Sequence, residues 1–535
     1  MIISIFKNFK FKHSLYTAIL LCMALGNNAY SFEKEMYLTS TNKQAEVLKG
    51  TIVVKFRKST VSSANTAEPV NGLDVNKVVL PPGKTVTEAV KEFSSREDVI
   101  YAEPVYIKRA FILPAEYTDD VELNKKQWGL EKISAPDGWA IETGKNVVIA
   151  VLDTGIDIDH PDLSNNMWIN PDPSSEYCTY NDDGIKNYEI QYDTHGWDFV
   201  NDDNCPDDDD ASLTGGHGTH CAGIIAAQAN NLPSSIVGVS WHNKLMAVKV
   251  LDCNGYGTSI DVARGIYYAA DRGAKVINMS YGGEKSTIEK EALDYAFDKG
   301  CILVAASGND GNPEVSYPAS HKNVIAVGAS DFVDNRAEFS NYGNDLDLLA
   351  PGINIYSTNI GGYCNLSGTS MACPFVSGLA SLIISYWDNG DNPNWTPNQV
   401  KDALISNCDR TSYTLSSNRD NQSGYGRINV KKTMEFVSNS AVNTSEDKIL
   451  VYPNPFNPDI NQQSLIVLPE NSQAEAEELK IYSLEGQEVR KVDVSGKMAH
   501  WDGKNNDGDV CATGLYFYYL DTTKGSEKGK ITLLR

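Results

Sequence analysis

The chain has 535 residues, 41% of them hydrophobic, with 70 acidic and 46 basic side chains and a net charge of −24. That length exceeds one ordinary domain and supports a sizeable core. The acidic average field repels polyanions, which argues against nucleic acid as a partner.

In chain order, residues 1–31 carry Lys7, Lys10 and Lys12, then an apolar run over 15–25, then Ala29-Tyr30-Ser31. This is the layout of a cleaved signal peptide. The run falls short of the ~20 residues a membrane span needs, and no later run is longer. Export, with no transmembrane segment in the mature protein, is expected. Loss of Cys22 leaves nine of the ten cysteines, which cannot all pair. Export permits disulfides. Cys178, Cys205, Cys253, Cys364 and Cys408 lie in polar, loop-like surroundings, whereas Cys221, Cys301 and Cys373 lie where cysteine packs as a small hydrophobe.

Residues 32–115 read as a small α+β unit, with strands over 51–56 and 99–106 and a helix over 86–93, and few apolar residues for a core of its own. Over 116–437 short apolar strands alternate with helical stretches, at 147–152, 245–251, 276–279, 302–306 and 324–327. Near-continuous apolar runs suit parallel strands buried on both faces. The prediction is a three-layer α/β/α domain around a mostly parallel sheet. Residues 438–448 read as a polar linker, and the alternating pattern of 449–535, with turn residues over 504–508, as an all-β sandwich.

Chemistry concentrates in the middle domain. Val151-Leu152-Asp153-Thr154-Gly155 ends an apolar strand in a carboxylate, where open α/β sheets place their ligand sites. An aspartic protease would need a second such carboxylate to share a proton, and no second Asp-Thr-Gly or Asp-Ser-Gly occurs. Gly215-Gly216-His217-Gly218-Thr219-His220 precedes an apolar helical run, which makes His217 a candidate general base. Metal binding is the alternative for two such histidines, but no His-Glu-x-x-His pattern accompanies them. Ser370, within Ser367-Gly368-Thr369-Ser370-Met371-Ala372-Cys373-Pro374, has small neighbours that admit a substrate backbone, with Pro374 expected in a first helical turn. A serine nucleophile needs a neighbouring base; otherwise Ser370 is a helix cap. Asn309, in Ser307-Gly308-Asn309-Asp310-Gly311, offers an amide donor or a turn residue.

Together, in the order Asp, His, Asn, Ser, these motifs resemble the subtilase family of serine proteases, its thermitase-like and proteinase K-like branches above all, over about 128–429. The Asp-His-Ser order and the asparagine donor are those of that family. The resemblance implies a secreted serine endopeptidase acting on proteins or peptides, with Ser370 as nucleophile, His217 as base, Asp153 orienting it and Asn309 holding the oxyanion. It implies substrate-binding edges at Ser280, Tyr281 and Gly282 and at Gly255, Tyr256 and Gly257, and places Asp310 near the floor of the main specificity pocket. It also implies structural calcium held by Asp198, Asp203 and Asp207 in an acidic loop and by Asp162. Cys178 and Cys205 are expected to close that loop. Residues 32–115 resemble the inhibitory prosegment of subtilases, removed by the enzyme itself at a cut between about 108 and 125. The last unit, with Tyr452-Pro453-Asn454-Pro455 and Gly514-Leu515-Tyr516, resembles the sorting domain of bacterial type IX secretion. That implies contact with the secretion machinery, passage across an outer membrane, and a final place outside the cell or on its surface.

Overall fold

The computed structural model describes residues 33–57, 67–111, 127–173, 178–181, 189–210, 215–229, 235–388, 395–413, 419–442, 450–452, 458, 464–467, 478–484, 486–494, 498–522 and 525–533. The expected signal peptide lies outside the described residues. The chain divides into two compact units, Met1–Ile107 and Lys108–Arg535.

In the first unit β1 (Lys34–Leu38), β2 (Gln44–Phe56), β3 (Ala67–Pro69), β4 (Asn76–Val79) and all but the last three residues of β5 (Val99–Ala110) surround one helix, α1 (Val86–Ser94). β2 pairs antiparallel with β1, β4 and β5. A capping box starts α1: Thr85 Oγ1 accepts from Glu88 N while the Glu88 carboxylate accepts from Thr85 N. Val47, Ile52 and Val54 meet Val86, Ala89 and Phe93, so this stretch does gather an apolar cluster of its own, one sheet face against one helix face.

The second unit holds a seven-stranded sheet formed by β6 (Val148–Asp153), β7 (Gly196–Asp198), β8 (Lys244–Lys249), β10 (Val276–Met279), β12 (Ile302–Ala306), β13 (Val324–Ser330) and β14 (Leu348–Pro351), in the order β14-β13-β12-β10-β6-β8-β7. Between them run two three-residue strands, β9 (Tyr256–Thr258) and β11 (Tyr281–Gly283), outside this sheet. All six pairings within the seven-stranded sheet are parallel. The five strands expected from the apolar runs are present; the two edge strands, β7 and β14, were not expected. Leu152, Met279 and Ala305 lie in register on adjacent strands, so the residues that follow each leave the sheet along one edge.

Helices cover the sheet, chiefly α2 (His217–Ala226), α3 (Ser259–Asp271), α4 (Thr287–Asp298), α5 (Thr369–Tyr386), α6 (Pro397–Ser406) and α7 (Val430–Val442). α7 carries five residues of the expected linker, 438–442, as its last helical turn. α5 has a mean hydropathy of 1.4 and, among the described residues, is the helix long and apolar enough to cross a membrane, yet 94% of it is buried inside the fold. Its Ser377, Ser381 and Ser385 share one face at four-residue spacing. Ser377 Oγ donates to Asn278 Oδ1 (2.8 Å), Asn243 Nδ2 donates to Ser381 Oγ (2.9 Å), and Ser385 Oγ donates to Asn243 Oδ1 (3.1 Å). These bonds satisfy polar groups that would be costly to bury alone.

At the C-terminus a three-stranded and a four-stranded antiparallel sheet share one apolar cluster, with Ile466, Ala499 and Trp501 from the first and Leu479, Ile481, Leu520, Ile531 and Leu533 from the second. Two faces on one core make this the expected sandwich.

Candidate active site

β6 ends on Asp153, and its Oδ1 accepts from Thr154 N (2.8 Å) and from His217 Nδ1 (2.6 Å). Both side chains are fully buried. The close approach depends on Gly218: a methyl group there would collide with the Gly155 carbonyl oxygen and lie 3.0 Å from Asp153 Cβ. The first turn of α2 can therefore press against the strand end and aim His217 at Asp153.

The two histidines of the motif have separate roles. His220 Nε2 reaches the carbonyls of Ile355 (3.0 Å) and Cys364 (3.3 Å), and burial together with His217 pushes its pKa down to about 3. It is a neutral structural donor. For His217, burial favours the neutral ring, but Asp153, Asp210 and Asp208 outweigh it and raise the pKa above 6.5. Asp210 also accepts from His217 N (3.1 Å). A general base must be neutral to take a proton, so activity is expected to fall as pH drops through a value above 6.5. Asp210→Asn removes one negative charge facing the ring, and its acid limb should move to lower pH in a kcat/KM profile; an unmoved limb would assign the ionisation to another group.

Ser370 stands in the first turn of α5, and its Oγ donates to the Ser280 carbonyl (2.7 Å). His217 Nε2 is buried and has no hydrogen-bond partner among the described residues. The serine hydroxyl thus points at the strand following β10 and must turn to meet the base; such bonds tighten when substrate arrives. Pro374 sits in the second turn of α5, one turn later than expected. It lacks the N–H that would bond the Ser370 carbonyl, and that carbonyl accepts instead from Ser280 Oγ (3.1 Å) and Cys221 Sγ (3.4 Å).

Asn309 Oδ1 accepts from Thr369 N and Oγ1, both at 2.9 Å, which fixes the amide. Its Nδ2 is buried without a partner among the described residues. A preorganised donor with nothing to bond is what an oxyanion site requires. Asp153, His217 and Cys221 also bring ligand atoms within 4.8 Å of one another. Each of these atoms already has a partner inside the protein: Asp153 Oδ1 accepts from His217 Nδ1, and Cys221 Sγ donates to the Ser370 carbonyl.

The expected substrate-binding edges hold a segment of this chain. Residues 108–110, which belong to the second unit, pair antiparallel with β11 in the register Tyr281 to Ala110, Gly282 to Arg109 and Gly283 to Lys108. Ala110 N donates to the Gly255 carbonyl (2.9 Å) and Phe111 N to the Ser280 carbonyl (3.4 Å). Asp310 is half exposed and pairs with Arg109 (3.2 Å), so it does not form the floor of a buried pocket.

The four acidic residues expected to hold calcium are engaged within the protein. Asp198 and Asp203 exchange both backbone hydrogen bonds (2.9 and 3.0 Å). Asp198 Oδ1 accepts from Val200 N and Asn201 N, and burial pushes its pKa up to about 6. Asp207 is raised by burial and then by Asp159 and Asp157. Asp162 Oδ2 accepts from Ile236 N and Tyr363 Oη. Their hard oxygens suit calcium; among the described residues no three of the four bring carboxylate oxygens within 4.8 Å of one another. Cys205, expected to bridge to Cys178, is an exposed free thiol here, and the Cys178 side chain lies outside the described ones; Cys253, Cys364 and Cys408 are free as well.

Residues 144–426 match the Subtilase family, 34–104 the Fervidolysin N-terminal prodomain, and 450–534 the CHU_C Type IX secretion signal domain. The chain is 38% identical over 320 residues to thermitase of Thermoactinomyces vulgaris, covering 59% of this chain and 99% of that protein. It is 36% identical over 401 residues to the thermophilic serine proteinase of Bacillus sp. (strain AK1), covering 73% and 88% respectively. To subtilisin amylosacchariticus of Bacillus subtilis subsp. amylosacchariticus it is 38% identical over 329 residues, covering 60% and 72%.

Proposed function

The chain belongs to the subtilase family as a subtilisin-like serine endopeptidase with an N-terminal prodomain, and from that premise we propose that Asp153, His217 and Ser370 are its triad and Asn309 its oxyanion donor. The protein is bacterial and secreted across an outer membrane, in keeping with its type IX secretion signal domain. The observation that carries the mechanism is a pair of buried nitrogens without a partner among the described residues, His217 Nε2 and Asn309 Nδ2, in a cleft where Ser370 supplies a hydroxyl.

In this reading the substrate N–H takes the Ser280 carbonyl, Ser370 Oγ swings to His217 Nε2, and its proton passes there as Oγ adds to the peptide carbonyl carbon. Asp153 stabilises the imidazolium. Asn309 Nδ2 receives the developing oxyanion, a contact typically worth about 2.7 to 4 kcal/mol in the transition state. His217 then protonates the leaving amine, and water releases the acyl group by the reverse proton path.

Casein hydrolysis before and after treatment with a serine-directed sulfonylating reagent tests this. Activity should vanish with the appearance of one adduct on Ser370; an adduct on another serine, or activity that survives full labelling, would overturn the assignment. The prodomain is proposed to help the slow-forming parallel sheet fold and to inhibit until removed.

Calcium has no part in the chemical steps, but Asp198 and Asp203 are the two expected ligands that could share an ion. If they do, EDTA should lower the unfolding midpoint by about 5 °C relative to calcium held a hundredfold above its dissociation constant. An unchanged midpoint would remove calcium from the account.

A further inference from the structure

The segment in the cleft ends at the reacting groups and begins at a buried charge. Phe111 is buried, and a methyl group at Gly282 would collide with its ring. A methyl group at Gly368 would lie 2.5 Å from the Phe111 carbonyl oxygen and 3.1 Å from Asn309 Nδ2, so that carbonyl and the oxyanion donor share the space beside the first turn of α5. Three residues earlier, the Lys108 ammonium is wholly buried against the carboxylate of Glu289, also wholly buried, and donates to the Glu284 carbonyl (2.7 Å). The Tyr317 ring centroid lies 5.3 Å from the same nitrogen. Glu289 occupies the first turn of α4, where Ser286 Oγ accepts from Glu289 N (3.4 Å) and the helix end favours an anion.

Resting on the reading of Ser370 as nucleophile, we propose that residues 108–111 lie in the cleft as the acyl side of a substrate, that the peptide bond after Phe111 is the processing site, and that Glu289 is a specificity-determining residue selecting a basic side chain at the fourth position before the cut. A buried carboxylate is tolerated when a cation meets it and is costly when the cation is gone. Once Lys108 departs with the prosegment, a lysine or arginine from a protein substrate restores the pair, whereas leucine or glutamate leaves a charge facing apolar matter or another charge. Discrimination of this kind arises from the repulsive alternatives as much as from the attraction. The prosegment boundary then falls at residue 111, inside the 32–115 span read from the sequence, and the mature enzyme prefers a large aromatic residue directly before the cut. In the step itself Ser370 Oγ bonds to the Phe111 carbonyl carbon, the following C–N bond breaks with the proton going to the new amine, and water yields the Phe111 carboxylate.

Mass spectrometry of the secreted full-length chain and of its Ser370→Ala variant should give a mature N-terminus directly after Phe111 in the first and an uncut chain in the second. For specificity, the processed enzyme is assayed on two fluorogenic tetrapeptides, Lys-Ala-Ala-Phe and Leu-Ala-Ala-Phe amides. The lysine peptide should have a kcat/KM about tenfold or more above the leucine peptide, and that ratio should fall to about one in Glu289→Gln. If Glu289→Gln fails to fold, the wild-type ratio decides alone: a ratio near or below one overturns the subsite. An N-terminus elsewhere overturns the processing site. Failure to cleave casein at all, with the prosegment removed, would instead refute the protease mechanism beneath both.

Discussion

Replacing Ser370 with alanine is expected to lower caseinolytic activity by about a millionfold, the loss usual when a triad serine is removed, and to leave the prosegment through Phe111 attached to the secreted chain. Two roles converge on this hydroxyl, attack on substrate and release of the prosegment, so one substitution abolishes both. The fold should survive. The Ser370 hydroxyl contributes one hydrogen bond, to the Ser280 carbonyl, which Phe111 N also approaches. Its loss costs about 1 kcal/mol, and circular dichroism should show a midpoint only a few degrees lower. Comparable casein rates for the two proteins, measured at equal folded concentration, would remove Ser370 from the mechanism.

Asp153→Asn should reduce kcat by about ten-thousandfold while leaving KM nearly unchanged. One carboxylate oxygen serves both Thr154 N and His217 Nδ1. An asparagine that keeps its carbonyl there puts an amide nitrogen where Asp153 Oδ2 now lies buried without a partner among the described residues. The opposite orientation aims N–H groups at two donors and forces His217 into the wrong tautomer. In either case the ring loses the charge that most raises its pKa, so residual activity should persist to lower pH than in the wild type. A loss confined to KM would point to substrate binding instead.

The candidate site was legible from sequence because each element proposed for it is a local string. An apolar strand ending in Asp153, glycines ahead of His217 and small residues around Ser370 each announce a strand end or a helix start, and the parallel register then brings those ends together. Lys108 and Glu289 could not be read in this way. They are 181 positions apart, one in a strand that looks like prosegment and one in an ordinary amphipathic helix, and only the antiparallel pairing of 108–110 with β11 places them side by side. The acidic loop is less legible: composition gathers carboxylates in sequence, while the partners each one takes, Val200 N for Asp198 and Ile236 N for Asp162, depend on the fold. The linker was misjudged at its start because Ser438, Asn439 and Ser440 are poor helix formers individually, yet α7 continues through them.

The serine face of α5 has a consequence for the journey outward. A chain that leaves the cytoplasm unfolded must pass a lateral exit into lipid, and an apolar stretch of about eighteen residues is close to what halts there. Ser377, Ser381 and Ser385 anchor the finished helix to Asn278 and Asn243, and the same hydroxyls make the nascent segment a poorer stop signal. The hydroxyls that bond inside the folded enzyme thus also temper its most apolar segment before any fold exists.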